Sequence, residues 1–196
     1  MDHPLQCRCG HLRGHLANAE QSTRLMCYCK DCQAFARHLG QADTMLDADF
    51  GSDVVVAHPQ NIVFESGLDA LACMSLSEQG MLRWYASCCN TAIGNTSRSK
   101  KMAFTGLSAA CLAPNPAGIE AAFGPVKMRS CTESARTKVQ GSGLAAIPVM
   151  AGFAAKLLAA RLNGSYQRNP FFQPGSDQPV AARTVLLKEE RARLDA

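Results

Sequence analysis

Polar and apolar residues alternate along His11-Leu12-Arg13-Gly14-His15-Leu16, the period of a strand with one buried face. Short runs rich in strand-forming residues recur at 23–26, 54–57, 62–65, 71–76 and 81–86. Asn18-Ala19-Glu20-Gln21-Ser22 separates the first two runs with residues suited to a turn. Only residues 31–39 break the pattern, with helical spacing and Gly40 placed to end the helix. Residues 1–96 therefore predict a mainly β domain of small antiparallel sheets with one brief helix.

The pattern changes beyond residue 96, so 97–196 reads as a partly helical C-terminal extension packed on the first domain. Ser97-Arg98-Ser99-Lys100-Lys101 is polar, and 113–118 and 141–143 are loop punctuation. The strongest helix signal covers 147–162, with Pro148 suited to its first turn and Asn163-Gly164 to its end. Its uninterrupted apolar run, 144–155, is shorter than the roughly 20 residues that cross a bilayer, so no membrane partner is expected. The helix should lie on the β domain or on a second copy of the chain, as in a homodimer. Asn169-Pro170-Phe171-Phe172 reads as an apolar anchor or a pocket wall, and 187–194 as a short charged helix.

Composition narrows the function. With 47% hydrophobic residues the 196-residue chain can bury a core. A net charge of +4, spread rather than clustered, argues against nucleic acid as a partner. The start, Met-Asp-His-Pro-Leu-Gln, lacks the basic and apolar regions of a secretory signal, so a cytoplasmic location is expected. Disulfides are rare in that compartment, and the ten cysteines read as metal or redox chemistry instead.

Seven cysteines fall into three groups: Cys7 with Cys9; Cys27, Cys29 and Cys32; Cys88 with Cys89. Cys73, Cys111 and Cys131 stand alone and are expected in the core, where free cysteine usually lies. In Cys27-Tyr28-Cys29-Lys30-Asp31-Cys32, residues i and i+2 at a strand end share a face, about 6.6 Å apart. Their thiols can lean onto one metal, with Zn–S bonds of roughly 2.3 Å. A turn brings the third thiol to the same point, and Cys32 falls in a first helical turn, where the dipole favours thiolate. Three thiolates leave a tetrahedral position free, as in a reactive rather than a structural zinc site.

Cys7-Arg8-Cys9-Gly10 and Cys27-Tyr28-Cys29-Lys30-Asp31-Cys32, followed by Ala86-Ser87-Cys88-Cys89-Asn90-Thr91, resemble the motifs of the glutathione-dependent formaldehyde-activating (GFA) family, also called the centromere protein V family. The resemblance covers roughly residues 5 to 95. It implies a β-tent holding two Zn²⁺ ions, one structural and joining the N-terminal pair to the downstream pair. The other would sit on Cys27, Cys29 and Cys32 with an open position. The implied activity is a carbon–sulfur lyase that condenses formaldehyde with glutathione, so the implied partners are a small thiol and a small aldehyde. The third motif is altered: Ala86 stands where a structural cysteine is expected, and Asn90 replaces glycine. Cys88 either fills that vacancy, if the chain turns sharply, or faces away toward the central triplet and closes its zinc.

If the central zinc is open, Cys27, Cys29 and Cys32 form the catalytic centre, where binding an incoming thiol suits three anionic ligands better than polarising an aldehyde. Arg8, Lys30, Arg37 and Arg83 are candidates to meet a substrate carboxylate, although ordinary surface charge explains each as well. Asp31 is expected to cap the helix, with a hydrogen bond to a zinc ligand as its other reading. His11, His15, His38 and His58 have no metal-ligand spacing. Two other functions compete with the enzyme: a non-catalytic zinc module whose C-terminal extension binds a partner, and a thiol sensor that loses zinc on oxidation.

Overall fold

The computed structural model describes residues 1–112 and 116–195. In chain order the elements are β1 (His3–Gln6), β2 (Arg13–Leu16), β3 (Thr23–Cys27), α1 (Lys30–His38), α2 (Ala42–Met45), β4 (Ser52–Ala57), β5 (Ile62–Ser66), β6 (Leu71–Ser75), β7 (Leu82–Ala86), β8 (Thr91–Thr96) and β9 (Thr105–Ser108). They continue with α3 (Ala109–Leu112), α4 (Pro116–Phe123), β10 (Met128–Ser130), α5 (Ala146–Leu162), β11 (Arg183–Val185) and α6 (Lys188–Asp195). The protein is mainly β with a helical C-terminal part.

One sheet has three antiparallel strands in the order β1-β2-β5. The other has eight, in the order β10-β3-β4-β9-β8-β7-β6-β11. Its six central strands pair antiparallel, whereas β10 and β11 add to its two edges in parallel. Two close approaches between paired strands require glycine. A Cβ on Gly14 of β2 would stand 2.0 Å from the Val63 carbonyl oxygen of β5, and one on Gly94 of β8 would stand 2.5 Å from that of Gly106 in β9. The pairing of β8 with β9 thus uses residues that weaken the strand signal in the sequence.

The main core gathers Leu5, Leu12, Leu16, Val55, Trp84, Ile93 and Leu107 with Phe171, which is fully buried. Phe171 packs on Trp84 with ring centroids 4.9 Å apart and meets Phe64 edge-on at 5.5 Å. The segment 169–172 is therefore an apolar anchor that fastens the C-terminal part to the sheet. A second cluster joins Phe35 of α1 and Leu39 just after it to Met74 and Leu76, with Leu186 and Leu194 packed against it. The backbone carbonyl of Leu194 accepts from Arg37 at 2.8 Å, fixing α6 on α1.

The expected loop at 113–118 is shorter than its composition suggests. Residues 113–115 lie outside the described part, and Pro116 opens α4, a position where its missing N–H costs nothing. The expected helix at 147–162 is α5. Ala160 is its buried residue, Phe153 packs edge-on to Phe104 at 5.5 Å, and Lys156 donates to the Gln21 carbonyl at 2.6 Å. Ile147, Met150, Leu158 and Leu162 stay exposed. The segment Gly143–Leu162 is long and apolar enough to cross a membrane by length and composition, although the unbroken apolar run inside it is shorter.

Candidate metal centres

Cys7 follows β1 and is buried, and its backbone carbonyl accepts from Gly10, whose φ of 74° turns the chain back. The Leu12 N–H donates to the Cys7 thiol at 3.3 Å. On the far side, the chain turns between β7 and β8. Cys89 donates its N–H to the Ala86 carbonyl, and Asn90 adopts the left-handed conformation at φ 55°. Asparagine is, after glycine, among the residues that best tolerate that conformation, which suits it to this turn.

This turn decides the ambiguity at Cys88. The Sγ of Cys88 lies 3.3 Å from that of Cys9, 3.8 Å from that of Cys7 and 3.8 Å from that of Cys89, while Cys7 and Cys9 are 3.5 Å apart. Sulfurs on a tetrahedral zinc with bonds of roughly 2.3 Å are about 3.8 Å apart, so this donor set fits such an ion with little movement. Ala86 is held in β7, opposite Leu71 and Thr91, and Cys88, two residues further on, is the thiol that meets Cys7 and Cys9. Both vicinal thiols serve this cluster. Thr91 supports it by accepting the Arg8 N–H at 2.9 Å and placing its hydroxyl 3.1 Å from the Cys89 sulfur. Burial opposes a charge on Cys89, but hydrogen bonds from Thr91 and Cys9 outweigh it and draw this thiol down to about 6.

The second cluster is Cys27, Cys29 and Cys32, whose sulfurs lie within 4.8 Å of one another. Cys27 ends β3, Cys29 precedes α1, and Cys32 sits in its first turn. The helix cap is Cys29, whose sulfur accepts from the Cys32 N–H at 3.3 Å, and not Asp31 as the sequence suggested. Asp31 is engaged elsewhere: Arg191 of α6 reaches it at 2.9 Å and Arg83 of β7 at 3.6 Å. Hydrogen bonds from Cys29 and then Cys32 pull Cys27 down to about 2, while the same contacts raise Cys29 and Cys32. The three thiols thus favour charge on Cys27 over its two neighbours.

Among the four basic candidates, Arg83 is buried and points a guanidinium nitrogen at Cys32 from 4.0 Å, stacked over Phe35. Arg8 bonds Gln41 and the Cys89 carbonyl. Arg37 is committed to Leu194, and Lys30 is exposed. The histidines join neither cluster: His11 pairs with Asp69, His15 with Glu65, and His58 with Ser165. Cys73 and Cys111 are buried as expected, but Cys131 is not a core residue; it is exposed beside Cys27. Its neighbours Gln33 and Ser130 also escaped the sequence reading, because no spacing links them to the triplet.

A cavity of about 580 Å³ lies beside the four-thiol cluster, with Cys7, Arg8, Met26 and the ion pair of buried Arg24 with Asp53 in its wall. None of the three triplet thiols lines it.

Fold and sites together define a mainly β protein with two cysteine groups placed to hold metal ions. The chain belongs to a family of unknown function, DUF6151, whose profile matches residues 2–182 and so takes in Cys131 and the Phe171 anchor as well as both clusters. No curated protein matches it, and no solved structure does.

Proposed function

We propose that the protein is a two-zinc carbon–sulfur lyase of the type its motifs resemble, joining a small thiol such as glutathione to a small aldehyde. The observation that carries this reading is the placement of Cys88 with Cys7, Cys9 and Cys89, which leaves the triplet with three close thiols. A zinc bound there would hold an incoming thiol in its reactive, deprotonated form. In the addition, the thiol sulfur bonds to the carbonyl carbon, the carbonyl π pair moves to oxygen, and the thiol proton ends on that oxygen. Arg83 offsets the negative charge of the ligand set from 4.0 Å. The reducing cytoplasm is the compartment in which all seven thiols stay available, and the exposed face of α5 offers a surface for a second copy of the chain.

A second reading, a structural zinc module with a partner-binding C-terminal part, gains from the cavity, since its wall contains no triplet thiol. Metal content and turnover separate the two. The purified protein is expected to carry two zinc ions and to consume glutathione in the presence of formaldehyde, with one zinc and all turnover lost in Cys29→Ser. Two tightly held zinc ions with no thiol consumption across a panel of small aldehydes would remove the enzyme and leave the module.

A further inference from the structure

We propose that Cys131 is the fourth ligand of the metal held by Cys27, Cys29 and Cys32, and that an incoming thiol displaces it. The displacement rests on the thiol–aldehyde reading above, whereas the ligation does not.

Cys131 is delivered by the short edge strand β10. That strand runs parallel to β3 with Ser130 opposite Cys27, and the Tyr28 N–H donates to the Ser130 carbonyl at 3.0 Å. Cys131 is thus the first residue past the strand end, level with the loop that carries the triplet. Burial raises this thiol, and charge on the nearby Cys27 and Cys29 raises it further. The following turn is tied down as well: the Gln33 side-chain amide donates to both the Tyr28 and Ser134 carbonyls at 2.8 Å. Gln33 is the neighbour of Cys32, so one side chain locks the Cys131 turn to the triplet from its other end.

The thiol is close without being fully seated. Cys131 follows Ser130, the register partner of Cys27, but its sulfur does not belong to the set that lie within 4.8 Å of one another. A side-chain rotation at this exposed position would bring it in, and a ligand seated by such a rotation is one that can be displaced. Tethering supplies it at an effective concentration in the millimolar range, so a free thiol at comparable concentration can compete. The remaining singletons, Cys73 and Cys111, are buried in the main core. A fourth thiolate would add negative charge, and the buried Arg83 guanidinium beside Cys32 is placed to offset it.

The test uses cadmium-113 exchanged into the full chain, read by NMR, in the wild type and in Cys131→Gly. Glycine is chosen because the φ of 55° at this position suits it, so the fold should survive. Two resonances in the all-sulfur range are expected for the wild type. In Cys131→Gly one should move to the range of three sulfurs and one oxygen while the other stays. Two unmoved resonances would overturn the assignment. Displacement is read by alkylation of Cys131 in the zinc-loaded wild type, expected to be slow and to accelerate at least tenfold with added glutathione. Continued protection at saturating glutathione would overturn displacement while the ligand assignment stands. Absent aldehyde turnover, with the cadmium shift present, would count against the lyase alone.

Discussion

Cys7 and Cys88 meet across 81 positions of chain, whereas Cys27, Cys29 and Cys32 come from six consecutive residues. The first cluster ties β1 of the small sheet to the β7–β8 turn of the large one. Cross-linking a chain over that length removes about 4–5 kcal/mol of unfolded-state entropy by loop-closure arguments. The second closes a turn that α1 already fixes through the Cys29 cap, so metal there restrains little further backbone. Ligands drawn from distant strands make a staple. Ligands drawn from one turn add little to the fold's closure, whatever ion they hold.

The sharpest way to break this comparison is to cut each cluster once. Cys7→Ser is expected to lower stability by about 4 kcal/mol or more, seen as a shifted urea midpoint together with loss of one zinc. Cys29→Ala should also lose one zinc but cost less stability than Cys7→Ser, with about 1 kcal/mol of its loss coming from the helix cap it removes. Equal losses in the two variants would show that both metals staple the fold alike.

A smaller effect concerns affinity alone. Arg83 stands behind Cys32 and reaches Asp31, so Arg83→Gln should weaken metal binding at the triplet by about 10–100-fold. Competition with a chelator, followed by metal analysis, should show one zinc released early and the other at the wild-type point. Parallel weakening of both would mean that Arg83 acts through the fold rather than on the triplet.

How far the sequence carried this picture differs between the same two regions. The strands at 54–57, 62–65, 71–76 and 81–86 and the helices at 31–39, 147–162 and 187–194 all fall within a few residues of their observed bounds, because each announces itself by local residue types or by the residues at its ends. β8 and β9 did not, since Gly94 and Gly106 sit where their backbones come together. β10 and β11 are three-residue additions whose order comes from the neighbouring strand. The thiol groups of both clusters were legible from spacing. The choice of Cys88 over Ala86 depended on a turn, and the place of Cys131 depended on β10, neither of which has a local signature.

The smallest expected effect tests that turn. Asn90 holds φ 55° so that both Cys88 and Cys89 face Cys7 and Cys9. Asn90→Gly keeps this conformation accessible and should leave stability within about 0.5 kcal/mol, since glycine's ease at positive φ is set against the freedom it adds to the unfolded chain. Asn90→Ala, which resists positive φ, should cost about 1 kcal/mol. Because metal ligation at this cluster is worth far more, zinc content should stay unchanged in both variants. Loss of zinc in Asn90→Ala would mean that the turn, rather than the four sulfurs, limits the staple. The contrast between a rigid long-range cluster and a local one open to exchange would then need to be redrawn.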